Sequence, residues 1–316
     1  MIYKNSLKIL LSNFDIVWKT ILYYIFVFLL MGGMVYLCVN PIYRLLEQSG
    51  FIENITTVYA DFLTNLNFTQ LLLTINDLIL QFTSILTENL STVWINFAGL
   101  AFVFIFLKTY LSNLTIMPSC NSLHYYMGSM NKQGYVLSFK ETFGQNLKAQ
   151  LAYFIVSLPL KFLYAYLFIL SLKLFDISFV MSIVSIFLIA IGFCVLLGFK
   201  YTLFASWIPT MIVMNYGVFK ALKVSIKNSF RIFPRVFSNA IGIVITLILS
   251  NFMIGIFTFM AGLIITIPFS YLLISSFGMV VTYEAQGMRY YVDVYNVITP
   301  KKKEISDKLN SMKYIV

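Results

Sequence analysis

The sequence predicts an all-α, polytopic membrane protein with six transmembrane helices, both termini inside, and amphipathic helices at the interface. Three observations predict it. Of 316 residues, 60% are hydrophobic and 11% charged, with a mean hydropathy of +0.86. A soluble domain of this length could not hide that much apolar surface, so lipid must solvate part of it. Six stretches reach the roughly 20 residues that cross a bilayer as a helix. The loops between them alternate between rich and poor in Lys and Arg, the positive-inside pattern.

The six stretches are Thr20–Val39, Leu90–Tyr110, Ala149–Leu172, Ile177–Phe199, Phe237–Phe257 and Ala261–Tyr283. A helix satisfies its own backbone polar groups in lipid, so helices are the expected form. Lys4, Lys8 and Lys19 precede the first stretch, which lacks a small-x-small cleavage site and exceeds a typical signal core. It reads as an uncleaved span.

The following loop carries Arg44 against Glu47, Glu53, Asp61, Asp77 and Glu88, whereas the next has Lys108, Lys132, Lys140 and Lys148 against Glu141. Lys173 and Asp176 form a short turn; then come Lys200, Lys220, Lys223, Lys227, Arg231 and Arg235 without an acid. The alternation places both termini in the cytoplasm of a cell-membrane protein and accounts for the net charge of +10 without nucleic acid. Four regions follow: the basic N-terminus and first span (1–40), an extracytoplasmic amphipathic insertion (41–89), a five-span membrane domain (90–284) and a basic cytoplasmic tail (285–316). The Lys301–Lys303 run reads as a solvated tail, with contact to anionic lipid as the alternative.

Within the insertion, Leu72, Ile75, Leu78, Ile79, Phe82, Ile85 and Leu86 share one helical face, while Thr69, Thr74, Asn76, Asp77, Gln81, Thr83 and Ser84 fill the other positions. This predicts two or three amphipathic helices, capping the bundle or lying on the outer leaflet. Asn54, Asn67 and Asn89 begin glycosylation triplets, a weak signal in a chain rich in such residues.

Ser6-Leu-Lys, Ser138-Phe-Lys and Ser225-Ile-Lys each open an amphipathic segment that runs into spans one, three and five. Any inward-facing interfacial helix would share this pattern; three related helical hairpins would also produce it, as in many transport folds. The loop from Lys200 sets Phe204, Trp207, Ile208, Met211 and Ile212 beside its cations. It reads as an interfacial helix pair gripping the inner leaflet, with a docking surface for a partner as the alternative.

Lys161 is the sharpest chemical signal. It lies about a dozen residues from either end of the third span, beside Pro159. A cation at a helix centre costs about 2.5–3.5 kcal/mol on insertion scales, so it should face the bundle interior or a wet cavity. Pro159 frees the carbonyl of Ile155, and that oxygen, the hydroxyls of Tyr164 or Tyr166, or an anionic ligand could hold the ammonium. Lys161, Pro159, Tyr164 and Tyr166 are therefore the candidate ligand or pathway residues. Pro268 predicts a second kink, in span six.

No catalytic, cofactor or metal residue is predicted. His124 is the only histidine, and Glu141 and Glu284 give no sign of meeting. Phosphate-loop, dinucleotide and zinc-protease motifs are absent. Cys38, Cys120 and Cys194 read as packing residues. Gly32, Gly33, Gly192, Gly198, Gly242 and Gly255 read as points of close helix approach. Trp18, Trp94, Tyr23, Tyr24 and Tyr110 fall near span ends, where aromatic rings favour the interface.

Two stretches carry a further likeness. Met117-Pro118-Ser119-Cys120-Asn121-Ser122-Leu123 precedes His124-Tyr125-Tyr126, Gly134 and Ser138-Phe139-Lys140-Glu141-Thr142-Phe143. Ala221-Leu222-Lys223-Val224-Ser225 precedes Phe230-Arg231-Ile232-Phe233-Pro234-Arg235. Together they resemble the YesL-like family of bacterial integral membrane proteins, over the last two thirds of the chain plus span one; the 41–89 insertion departs from its pattern. The resemblance implies association with carbohydrate-uptake systems and carries no catalytic residues. The expected function is therefore a non-catalytic accessory or scaffold component of an uptake or envelope system, with the bilayer and an uptake-system membrane protein as partners. The alternative is a transporter or flippase for a small anionic solute or lipid, with Lys161 in its pathway.

Overall fold

The computed structural model describes residues 2–65, 68–172 and 179–300, apart from the side chains of 68–73, 76, 171–172, 179–183 and 186. Asn67, Lys173, Asp176 and the Lys301–Lys303 run lie outside the described residues, as do the side chains of Thr69, Leu72 and Asn76. The fold is all-α. In chain order the helices are α1 (Ile2–Ser12), α2 (Phe14–Gln48), α3 (Phe51–Asn65), α4 (Phe68–Glu88) and α5 (Leu90–Ala101). A π-helical turn, Phe102–Leu107, leads to α6 (Lys108–Asn113), α7 (Ile116–Ser129), α8 (Tyr135–Leu172) and α9 (Phe179–Phe204). Then come α10 (Trp207–Met214), α11 (Val218–Arg231), α12 (Phe233–Phe257) and α13 (Leu263–Gln286).

Six helical runs are long and apolar enough to cross a membrane: Phe14–Gln48, Leu90–Ser129, Tyr135–Leu170, Phe187–Met214, Phe233–Phe257 and Leu263–Gln286. They are the six anticipated from hydropathy, most of them longer. Amphipathic segments extend several spans beyond the apolar run, because a helix once nucleated adds residues at little further cost. Pro41, Pro159 and Pro268 all lie inside continuous helices.

The chain divides into two compact units. Unit 1 is Met1–Ile25 with Asn113–Val316, and unit 2 is Phe26–Ser112. Unit 2 holds the C-terminal part of α2 together with α3 to α6. Its α3 and α4 form a helical pair: the Phe51 and Phe82 rings lie 5.5 Å apart, and the Asn54 amide donates to Gln81 Oε1 at 3.1 Å. Much of the pair's apolar surface stays exposed, including Ile55, Tyr59, Leu63 and Ile79.

Unit 1 concentrates its core at one end, called here the basic end because Lys4, Lys8, Lys140, Lys220, Lys223 and Lys227 belong to its segments. Ile9, Leu10, Met117, Leu123, Met127, Trp207, Phe277 and Tyr283 are among the buried residues there. The second half of α13 runs through this core: Leu272, Leu273 and every residue from Ser275 to Tyr283 are buried. Gly278 lets it approach the α9–α10 junction, where a β-carbon would collide with the Ala205 carbonyl.

Spans two, four and six end alike, in left-handed residues Met130, Asn215 and Gly287 that turn the chain away from the helix. The three serines of the sequence repeat also lie alike. Ser6, Ser138 and Ser225 are each fully buried. Ser122 Oγ donates to Ser138 Oγ at 2.9 Å, and the Ser206 and Ser225 hydroxyls meet at 2.6 Å. Ser276 Oγ donates to the Ser6 carbonyl at 2.8 Å. So α7 packs on α8, α10 on α11 and α13 on α1, the last closing the set back onto the first helix.

Residues 285–300, the start of the region read in the sequence as a basic tail, hold regular structure. Strands β1 (Tyr290–Asp293) and β2 (Asn296–Ile298) form an antiparallel hairpin with Tyr290 opposite Ile298. Tyr290 and Val292 are buried against α1 and α7. Alternation of apolar and polar residues over a short stretch is what a half-buried strand requires.

Of the glycines expected at close helix contacts, Gly198 meets Ile241 directly and Gly255 meets Met260 and Leu263. Gly32, Gly33, Gly192 and Gly242 have open space where a β-carbon would stand.

Candidate functional site

The predicted residues on α8 separate. Pro159 and Tyr166 are exposed on the helix's outer face, with Tyr166 at 63%. Tyr164 is half-buried; its hydroxyl donates to the Leu196 carbonyl of α9 at 3.0 Å and its ring meets Phe193 edge-on. Lys161 is half-buried, and its ammonium stands 4.5 Å from the centroid of Phe154, seven residues back along its own helix. Side chains on a helix lean toward its N-terminus, so the lysine stem reaches back toward the basic end.

The contacts of α8 with α9 set an antiparallel register: Tyr164 bonds Leu196, and the Tyr153 ring meets Phe204 at 6.2 Å. That register brings Lys200 level with Lys161. Lys200, read in the sequence as part of a basic loop, instead lies on α9 within the fourth span. Its ammonium is 5.9 Å from the Tyr153 ring and 5.8 Å from the Tyr201 ring. Two cations from adjacent spans thus stand over neighbouring residues of α8, Lys161 over the Phe154 ring and Lys200 near the Tyr153 ring.

Tyrosines line the same region of unit 1. The Tyr201 hydroxyl is within electrostatic range of those of Tyr153, Tyr271 and Tyr164, and the Tyr271 ring lies 5.6 Å from Tyr24. Tyr153 in turn leans on Trp207 at 6.0 Å. Sequence reasoning missed Lys200 because it closes the apolar run of span four, where a lysine commonly marks the end of the membrane. Its level with Lys161 is set by the Tyr164–Leu196 contact, a register that the sequence does not carry.

A second polar cluster occupies the basic end. Tyr290 receives a hydrogen bond from Asn5 Nδ2 at 2.9 Å and donates to Glu284 Oε1 at 3.1 Å. Glu284, its side chain 6% exposed, pairs with Arg235 at 2.9 Å. His124 is half-buried with Nδ1 2.7 Å from the Tyr283 hydroxyl. Glu141 accepts from Gln133 Nε2 at 2.6 Å and from Asn121 Nδ2 at 3.3 Å. Burial pushes the Tyr290 phenol well above its ordinary range. In the hairpin turn, the Asn296 amide holds the Asp293 carboxyl below the usual carboxylate range, helped by the Tyr295 and Asn296 backbone amides and by Lys8 at 3.6 Å.

The α10 segment, expected at the leaflet surface, is core: Trp207, Ile208 and Met211 are 1%, 5% and 4% exposed. The Trp207 indole donates to the Val218 carbonyl at 2.8 Å, tying α10 to α11. The neighbouring α11 is amphipathic, burying Ala221, Ser225 and Ser229 while Phe219, Lys220, Lys223, Lys227 and Phe230 stay exposed. No family model, curated protein or solved structure matches the chain.

Proposed function

We propose that the chain is a multi-pass cell-membrane protein with both termini in the cytoplasm, acting as a non-catalytic accessory or scaffold component of an uptake or envelope system. The observation that supports this reading is the use made of its polar groups at the basic end. Glu284, Glu141 and His124 are each engaged by Arg235 and Tyr290, by Gln133 and Asn121, or by Tyr283. These contacts hold helices together and do not pair a nucleophile with a base. The alternating basic loops support the orientation, and the two stretches quoted above support kinship with the YesL-like family.

The test is mild chemical cross-linking in native membranes followed by native mass spectrometry of the full chain. A stoichiometric membrane-protein partner supports the accessory role. A chain that migrates alone, with uptake unchanged in a deletion strain, overturns it.

A second reading, transport or flipping of a small anionic solute or lipid, is favoured by the convergence of Lys161 with Lys200. Reconstituted Lys161→Met protein discriminates the two. Full cellular function with that substitution rejects a Lys161 pathway; normal abundance with no activity supports it.

A further inference from the structure

Lys200 raises an electrostatic problem. It lies inside a span, against two aromatic rings, and within range of a second cation. Among the described residues no carboxylate pairs with it; the ion pairs there join Lys8 to Asp293, Lys19 to Asp15 and Arg235 to Glu284. From Thr142 to Tyr283 the sequence has one acid, Asp176, which lies outside the described residues. Ring faces attract a cation but do not neutralise it. A cation inside a span with no carboxylate partner costs free energy that an anion beside it would recover.

The surroundings fit such an anion. Tyrosine hydroxyls donate hydrogen bonds to charged oxygens, and such bonds are short and strong. Tyr153 and Tyr201 flank the Lys200 ammonium. A lysine is a compact point charge suited to phosphate oxygens, and two of them at one level match a group carrying more than one negative charge. Access from the lipid side is present as well: Lys161 is half-exposed, and Pro159, Phe162 and Leu163 beside it are exposed on the face of α8.

We propose that Lys200 and Lys161, with the hydroxyls of Tyr153 and Tyr201, form a site in the span three–span four pair for a phosphate group, carried by a lipid headgroup or free. The inference concerns binding and goes beyond both functional readings. A protein that transports nothing can still hold a lipid phosphate there, so a negative transport assay leaves it standing.

The experiment uses the full chain, delipidated in mild detergent. Thermal shift and native mass spectrometry follow titration with short-chain phosphatidic acid, with inorganic phosphate, and with glutarate as a dicarboxylate control. Wild type is expected to be stabilised by a phosphate probe and to retain it in the gas phase. Lys200→Met is expected to weaken that binding roughly ten- to hundredfold, the loss of a charge-assisted contact, whereas Lys200→Arg retains most of it. Tyr201→Phe, which removes only a hydroxyl, is expected to weaken binding by about tenfold or less and serves if Lys200→Met does not fold. Stabilisation by phosphatidic acid without competition from inorganic phosphate assigns the site to a headgroup; competition assigns it to the phosphate itself. No response to either phosphate probe, an equal response to glutarate, or unchanged binding in both Lys200→Met and Tyr201→Phe overturns the proposal.

Discussion

Trp207 in unit 1 is 1% exposed and Trp94 in unit 2 is 65% exposed, although both lie on helical runs that are equally able to span a membrane. Their units differ in the same sense. Unit 1 buries Trp207, Tyr283, Tyr290 and Phe277 in one core and links helices far apart in sequence through Ser276–Ser6, Asn5–Tyr290 and Arg235–Glu284. Unit 2 leaves Trp94, Ile95, Tyr36 and Leu37 exposed, and among its described residues Thr64, Thr83, Ser84 and Asn96 each bond a carbonyl three or four residues back in the same helix. Such local bonds do not fix one helix against another. Hydropathy therefore identifies what enters lipid, while the distribution of small and polar residues decides which part of it becomes a packed structure.

The largest expected effect breaks this contrast directly. Trp207→Ala should destabilise unit 1 by about 3–5 kcal/mol, since it removes a large buried side chain and its bond to the Val218 carbonyl. Trp94→Ala should stay within about 0.5 kcal/mol, as for an exposed position. Unfolding in mixed detergent–SDS micelles, followed by proteolysis of the unfolded chain, measures both. Equal losses at the two positions would mean that unit 2 carries a core of its own.

Next in size is the ion pair at the basic end. Glu284→Gln should cost about 1–3 kcal/mol, because it removes the charge from a hydrogen-bonded group while Arg235 and Tyr290 remain. Arg235 is about half exposed, which keeps the effect below that of a fully buried pair. The same micelle titration reads it, and an Arg235→Met, Glu284→Met double variant close to wild type would show the pair to be replaceable by packing.

Smaller again is the test of the serine repeat. Ser138→Ala and Ser225→Ala each remove one hydroxyl from a buried hydroxyl pair and should each cost about 0.5–1.5 kcal/mol. Ser6→Ala should cost less toward α13, because there the shared bond is accepted by the Ser6 backbone carbonyl, and the Ser6 hydroxyl is spent on Ile2. A loss at Ser6 that equals the other two would make the three positions equivalent in energy as well as in place.

Much of this was legible in the sequence, for identifiable reasons. The six spans follow from long apolar runs, which leave a helix as the only economical form in lipid. The α11 helix follows from its spacing: Ala221, Ser225 and Ser229 recur every fourth residue, and the lysines fill the opposite face. Burial of the three repeat serines was not legible, since a serine before a lysine reads as a cap or a surface. Trp207 and Ile208 read as leaflet anchors for a related reason: an apolar helix beside cations has the same composition whether its face meets lipid or protein. Only tertiary contacts separate those cases, and Gly278, which admits α13 to the α9–α10 junction, was the local sign. Lys200 was hidden by position, at a span end where a cation is ordinary. The hairpin was hidden by length, because four residues of β1 carry too little periodicity to outweigh a basic tail.

That hairpin supplies the finest distinction, because two of its titratable groups act at opposite ends of the pH scale. Asp293 has its carboxyl held below the ordinary value by the Asn296 amide. A depressed carboxylate contributes stability that is present above its unfolded value, about 3.9, and is lost as pH falls through the folded one. Tyr290 has a phenol raised by burial. Its contribution is intact below the unfolded value of about 10 and is lost as pH rises above that toward the folded value. Hydrogen exchange at the backbone amides of Tyr290–Ile298, corrected for intrinsic rates, should therefore show protection that holds between these limits and declines on both sides. Asp293→Asn should remove the decline on the acid side only, and Tyr290→Phe the decline on the alkaline side only. The exposed turn makes the acid effect the weaker of the two, since solvent screens Asp293 while Tyr290 is closed in by Asn5, Glu284 and Tyr283. If Tyr290→Phe left the alkaline decline in place, the hairpin would be opening by loss of α1 and not by ionisation of its own tyrosine, and the contact of α13 with α1 would then be the weaker link of unit 1.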